Sequence, residues 1–260
     1  MLTTPLSYRI IASDLNRSIE TTSKQPLVAR ETAYYLENIG SVKSIDDFLA
    51  DDRIFKYAMK AFGLADMDYA KAFMRKALTE GVSDKDSFAN KLSDTRYKEF
   101  VETFDFERLG EATTAFTRTQ QGTVDRYMRQ TLEENAGMQN EGVRLALYFT
   151  RKAADIENVY EILGDKALAQ VVQTALGLPD SAMAGDIDKL ANTIADRIDL
   201  EDFKDPAKLE KFIQRFTTLW EVTNPSTPQP SMSLLINQNR TIGLDISVLT
   251  SLQNLKLGGL

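Results

Sequence analysis

Apolar residues recur at helical spacing along most of this chain, and one stretch of the pattern occurs twice. Tyr35, Ile39, Val42, Ile45 and Leu49 follow one another at steps of three and four, which places them on one face of a helical path. Val143, Leu147, Ile156, Val159 and Leu163 form the counterpart further on. Residues 30–64 align with residues 144–178 without a gap, 114 positions apart. Arg30 falls on Arg144, Tyr34 on Tyr148, Leu49 on Leu163 and Asp51 on Asp165. The run Ala61, Gly63, Leu64 falls on Ala175, Gly177, Leu178. Where identity fails the pairs stay apolar, as in Tyr35/Phe149, Ile54/Leu168 and Phe62/Leu176. Self-similarity at a fixed separation is the mark of a repeated supersecondary unit. The sequence therefore predicts an all-α protein of two tandem, duplicated helical modules with short apolar terminal segments.

Polar residues punctuate the pattern. Ser41 and Asp155 are matched candidates for helix N-caps, and Asp51 and Asp165 for the caps of the next helix, since a side-chain oxygen there can accept from free backbone N–H groups. That helix is expected to stop at Gly63 and Gly177, where glycine takes the left-handed conformation at little cost. Residues 70–78 and 187–195 read as further helices. Asp94 and Asp205 read as caps of the last helix in each module, with Pro206 in the first helical position, where its missing N–H is harmless. Phe100, Val101 and Phe104 correspond to Phe212, Ile213 and Phe216, and Trp220 extends the second stripe as a core residue.

These signals divide the chain into an N-terminal segment (1–26), a first helical module (27–106), a connecting helical segment (107–140), a second module (141–223) and a Pro-rich linker with an apolar C-terminal segment (224–260). Ile11, Leu15 and Ile19 make a short stripe in the N-terminal segment. The connecting segment is polar, with Phe116, Val124, Tyr127 and Leu132 as sparse apolar points. Its Arg108, Arg118, Arg126 and Arg129 alternate with Glu107, Glu111, Asp125 and Glu133, which predicts a solvated helix face. The C-terminal segment carries Leu244, Val248, Leu252 and Leu255 at helical spacing and only Arg240, Asp245 and Lys256 as charges. That much apolar surface must be covered, by its own modules or by another chain.

Composition narrows the chemistry. The chain of 260 residues is 43% hydrophobic, enough for a real core, and its net charge of −7 argues against nonspecific nucleic-acid binding. It contains no cysteine and no histidine. Disulfides, thiolate nucleophiles, Ser-His-Asp arrangements and nearly all transition-metal sites are thereby removed, leaving carboxylates, Lys, Tyr and Ser. Asp84/Asp86, Asp186/Asp188 and Asp196/Asp199/Glu201/Asp202 could bind a hard cation or divide acid and base roles, but none fits the EF-hand spacing, and caps explain them more simply. Phosphate-binding loops, dinucleotide fingerprints and nucleophile elbows are absent. No cofactor is expected. Residues 1–7 show no secretory pattern and no stretch approaches a membrane span. The chain is expected to be cytoplasmic at synthesis, with export without a cleaved signal left open.

The repeated pairs Arg30/Tyr34 and Arg144/Tyr148 lie four apart and share a helix face. In each copy the guanidinium is expected to bind an internal carboxylate or the carbonyls ending a neighbouring helix. A structural role repeats naturally with a repeated fold, whereas a ligand site would have to occur twice. Arg30, Tyr34, Asp51, Gly63, Arg144, Tyr148, Asp165 and Gly177 are thus read as structural.

The patterns Arg-Glu-Thr-x-Tyr-Tyr-x-x-Asn at residues 30–38, Ile-Asp-Asp-Phe-Leu-x-Asp-Asp at 45–52 and Ala-Phe-Gly-Leu at 61–64 resemble a bacterial domain family of unknown function. Ala-Leu-Gly-Leu-Pro at 175–179 and Asp-Pro-x-Lys-Leu-x-x-Phe at 205–212 carry the same resemblance, which covers about residues 7–222. Members of that family are often encoded among flagellar genes, and no catalytic residues come with it. The resemblance implies a non-enzymatic structural or assembly factor of the bacterial flagellum with protein partners. A carboxylate-based enzyme, a small-ligand-binding helical protein and a cytoplasmic adaptor unrelated to motility are the alternatives.

Overall fold

A computed structural model describes residues 2–179, 181 and 185–226. Every regular element among these is helical. Short helices α1 (Thr4–Ser13) and α2 (Leu15–Ser23) lead into α3 (Pro26–Asn38), α4 (Ile45–Ala50), α5 (Asp52–Ala61), α6 (Lys71–Glu80), α7 (Thr95–Thr103) and α8 (Phe106–Leu109). The long α9 (Gln121–Gln139) follows, then α10 (Glu141–Lys152), α11 (Val159–Gly164), α12 (Lys166–Leu176), α13 (Ile187–Ala195) and α14 (Pro206–Thr223). The apolar C-terminal positions Leu244, Val248, Leu252 and Leu255 lie outside the described residues.

The two aligned stretches carry their turns and helix starts at matching positions. A 3-10 turn ends α3 at Ile39–Ser41 and another ends α10 at Ala153–Asp155, 114 residues on. The next helices begin at Ile45 and Val159, and the following pair at Asp52 and Lys166, both again 114 apart. Asp51 accepts from the backbone N–H groups of Arg53 and Ile54, and Asp165 from those of Ala167 and Leu168. Gly63 and Gly177 have φ of 71° and 64°. One cap differs from the sequence expectation. Ser41 and Asp155 sit inside the 3-10 turns, so their side chains are one turn too early. The caps are Ser44, accepting from Asp47, and Asn158, accepting from Glu161.

Two hydrophobic clusters form. The first gathers residues of α3–α8, with Tyr35, Phe48, Phe55, Phe100 and Phe104 fully buried. The second gathers α10–α14 around Phe149, Ile162, Ile213 and Phe216. Helix α9 serves both. Its Val124, Tyr127 and Met128 belong to the first cluster and its Ala136 to the second. Tyr35, Tyr57 and Tyr127 stack in series, with ring centroids 4.4 and 3.8 Å apart, and so tie α3, α5 and α9 together.

The N-terminal stripe is broken where the sequence reads it as continuous. Asp14 ends α1 and caps α2 through the backbone N–H of Arg17. Tyr8 and Ile11 pack on the second cluster, while Ile19 packs on the first. The Tyr8 hydroxyl shares a hydrogen bond of 2.9 Å with Thr150 of α10. The start of α1 is held by a polar knot. The Glu221 carboxylate of α14 accepts from the Thr4 backbone N–H (2.7 Å) and hydroxyl (2.6 Å), and from the Ser226 backbone N–H and hydroxyl (both 2.8 Å). Asn140 Nδ2 donates to both hydroxyl oxygens. Partial burial of Glu221 opposes its charge, but the four donated bonds outweigh that and hold its pKa down at about 2.

Helices α10 and α14 meet at Gly142, where a Cβ would lie 2.3 Å from the Trp220 indole. Gly142→Ala is therefore expected to force these helices apart and cost about 1–3 kcal/mol in chemical denaturation. Gly40→Ala, with nothing within 4 Å of the added carbon, is the matched control and should stay within about 0.5 kcal/mol. The knot predicts a pH dependence. Because the folded pKa of Glu221 lies below its ordinary value of 4.5, the carboxylate's contribution is complete above about pH 4.5 and fades as pH falls through about 2. Glu221→Gln should be less stable than wild type at pH 7 by about 1–3 kcal/mol. The gap should close between pH 4.5 and 2, and denaturation curves across that range measure it.

Candidate functional site

The polar residues that face each other most closely lie where α7, α9 and α10 meet. Helix α9 contributes Asp125, Arg126, Arg129 and Glu133, of which Arg129 and Glu133 bond to α10, which ends in Arg151 and Lys152. Glu99 of α7 approaches from the first cluster. Together with Asp155, six of these line an open cleft of about 540 Å3, and Glu133 is bonded to two of the lining residues, Arg129 and Arg151.

Glu133 is 1% exposed and departs from the sequence reading of a solvated face, which Glu107, Arg108, Glu111, Arg118, Asp125 and Arg126 keep. Burying a carboxylate is tolerable only when its charge is matched and its lone pairs are filled. Arg151 does both with a two-pronged contact, Nε to Oε1 and Nη2 to Oε2, each 2.8 Å. Arg129 adds a third bond from Nε at 3.1 Å, one helical turn back on α9. Arg151 also lies over the Tyr148 ring, 5.0 Å from its centroid, and donates to Gln130. Burial alone would lower the Arg151 pKa, but Glu133 overrides it and raises that pKa above the ordinary arginine value. On the rim, Glu99 takes both Lys152 and Arg126, so one carboxylate of α7 spans α9 and α10.

The second set of repeated residues sits beside this junction, where Arg151 lies over the Tyr148 ring. The Tyr148 hydroxyl donates to Asp165, and Tyr34 donates to Asp51 at 2.8 Å. In each case one carboxylate caps a helix and accepts a phenol from the second helix before it. Burial and then Asp165 push the Tyr148 pKa up, while for Tyr34 the bond to Asp51 does so. The arginines behave differently from expectation. Arg30 pairs with its neighbour Glu31 at 3.3 Å, and Arg144 pairs with Glu141 of its own helix. Among the described residues neither is bonded to a carboxylate of another helix or to the carbonyls ending a neighbouring one. The Tyr34 ring is instead covered by Arg53, at 3.6 Å. Arg96 of α7 reaches the carbonyl that ends α5, donating from Nη1 to Gly63 while its Nε and Nη2 bind Asp94.

The acidic runs resolve into caps and surface pairs. Asp84 accepts from the Asp86 backbone, Asp186 caps α13 and Asp199 accepts from the Glu201 backbone. Glu201 pairs with Lys204 and Asp202 with Lys208. Among the described residues no group of three or more His, Cys, Asp or Glu is placed to hold a metal ion, and no helix is long and apolar enough to cross a membrane.

Sequence reasoning missed Glu133 as a buried group. The available signal was the Arg129/Glu133 spacing of four, but the decisive partner, Arg151, lies 18 residues away on the next helix. Glu133→Gln keeps the shape of the side chain and leaves two guanidinium groups without their counter-charge. It is expected to cost about 3 kcal/mol, read as a lower urea midpoint. Glu107→Gln, on an exposed residue, should move the midpoint little.

The family described as Protein of unknown function (DUF1217) matches residues 61–209, a span that starts in the first cluster, crosses α9 and ends in the second. The crystal structure of a protein from Agrobacterium tumefaciens is 55% identical to this chain, with a TM-score of 0.80; the match covers 85% of this chain and 94% of that one. No curated protein has a matching sequence. With more than half of its length inside the family match, the chain belongs to this bacterial domain family of unknown function.

Proposed function

We propose that the protein is a non-enzymatic structural or assembly factor that works through protein contacts, in association with the bacterial flagellum. The observation that carries this reading is how its polar groups are used. Glu133, Glu99, Asp51, Asp165 and Glu221 each join two or more helices, and each is engaged by neighbouring side chains or backbone within the chain. Such an arrangement fixes the shape of a scaffold. The cleft at the helix junction fits the same reading, since Arg126, Arg129, Arg151 and Lys152 all have carboxylate partners there. Support for the flagellar part comes from the resemblance to a family often encoded among flagellar genes. The acidic net charge of −7 favours a protein partner over nucleic acid.

Deletion of the coding sequence from its host is expected to impair swimming or filament assembly, with restoration by the full chain. Affinity capture of the full chain from the same cells should recover flagellar components. Normal motility and filament number after deletion would contradict the flagellar assignment. A purified chain that turns over a small molecule, with loss of turnover on substitution of a cleft residue, would contradict the non-enzymatic one.

A further inference from the structure

A pocket of about 330 Å3 opens where α1 packs on α14, with Thr150 of α10 in its wall. Pro5 and Ala12 give it an apolar side. The rest of the lining carries hydroxyls, the Gln214 amide and two opposite charges, Arg9 and Glu210. A small cavity with a few placed polar groups is the usual form of a ligand site.

The buried hydroxyls have already committed their protons. Thr150 donates to the Ala146 carbonyl at 2.8 Å. A threonine has one hydroxyl proton, so the 2.9 Å bond between Thr150 and Tyr8 takes its proton from Tyr8. Burial raises the Tyr8 pKa, which keeps that proton in place. Thr217, 1% exposed, donates to the carbonyls of Ile213 and Gln214. Tyr8 and Thr217 therefore have only oxygen lone pairs left to offer. Glu210 adds a carboxylate, which accepts from Gln214 Nε2 at 3.1 Å, one turn along α14. Acceptors gathered around a carboxylate suit a group that brings several N–H donors and a positive charge.

Arg9 supplies the other charge. It is exposed on α1 and makes no hydrogen bond or ion pair among the described residues. Glu210 likewise has no cationic partner among them. Two opposite charges thus line one pocket without neutralising each other. A small molecule with an ammonium and a carboxylate answers both.

We infer that this pocket binds a free α-amino acid, with its ammonium on Glu210 and the hydroxyl oxygens, its carboxylate on Arg9 and its side chain against Pro5 and Ala12. At about 330 Å3 the pocket is at the small end of ligand sites, which suits an amino acid better than a nucleotide. The bound molecule bridges α1 and α14 and stabilises their packing by mass action. This is an added binding function, independent of the flagellar assignment and requiring no turnover.

The test is titration of the full chain at neutral pH with each of the standard L-amino acids, followed by calorimetry and thermal unfolding. At least one should bind at a single site and raise the unfolding midpoint. Its decarboxylated amine and its N-acetyl derivative should each bind at least tenfold more weakly. Glu210→Gln should weaken the amino acid at least tenfold and narrow its advantage over the N-acetyl derivative. Arg9→Gln should weaken it similarly and narrow its advantage over the amine. Both residues are exposed, so the unliganded midpoint should move little in either variant. Binding of none of the standard amino acids would overturn the proposal. So would binding that both variants leave unchanged, or equal affinity for the amine and the amino acid, which would reduce the site to a cation pocket.

Discussion

A carboxylate buried in the middle of a long helix constrains the whole arrangement. Glu133 lies on α9, the helix that contributes to both hydrophobic clusters, and it is 1% exposed. Its charge can stay there only while Arg151 and Arg129 are in place. Arg151 comes from the last turn of α10, so satisfying Glu133 fixes how α10 lies against α9. Since α10 supplies Phe149, Leu145 and Val143 to the second cluster, the orientation of that cluster follows from the same contact. Apolar packing provides most of the driving force, but it is not directional. The bidentate contact supplies the direction.

Secondary contacts reinforce this geometry from both sides. Glu99 on α7 binds Lys152 and Arg126, linking the first cluster to the α9–α10 pair. Arg96 on the same helix caps the end of α5 at Gly63. The N-terminal helices touch both clusters. Tyr8 of α1 packs on the second, while α2 brings Ile19 to the first. The Thr4–Asn140–Glu221–Ser226 knot then fastens the beginning of the chain to the end of α14. The family match, running from 61 to 209, likewise ignores the division into halves. Internal polar contacts hold this shape, while Leu6 and Ile10 of α1 stay exposed.

Local signals were legible in the sequence, and contacts between distant segments were not. Asp51, Asp94, Asp165 and Asp205 cap helices because the bond is made within three residues. Gly63 and Gly177 stop helices because a positive φ is a property of one residue. Ser41 was a plausible cap on the same logic. It lost to Ser44 because α3 ends in a 3-10 turn that delays the next helix by one turn. Glu133 reads as solvated in a run of alternating charges, and only the approach of α10 buries it. The Tyr–Asp bonds at Tyr34 and Tyr148 span 17 residues and needed the fold to show which partner each phenol meets, while the sequence pointed to the arginines beside them. The packing of α1 on helices more than a hundred residues away left no local trace beyond the break at Asp14.

The central claim is that α9 and its buried carboxylate make the two clusters one cooperative unit. Calorimetry of the full chain tests it most directly, by comparing the measured unfolding enthalpy with the van't Hoff enthalpy from the shape of the transition. The account predicts a single transition with a ratio close to one. Two resolved transitions, or a ratio near two in a single broad one, would mean that the clusters unfold independently and that the Glu133 contact does not couple them.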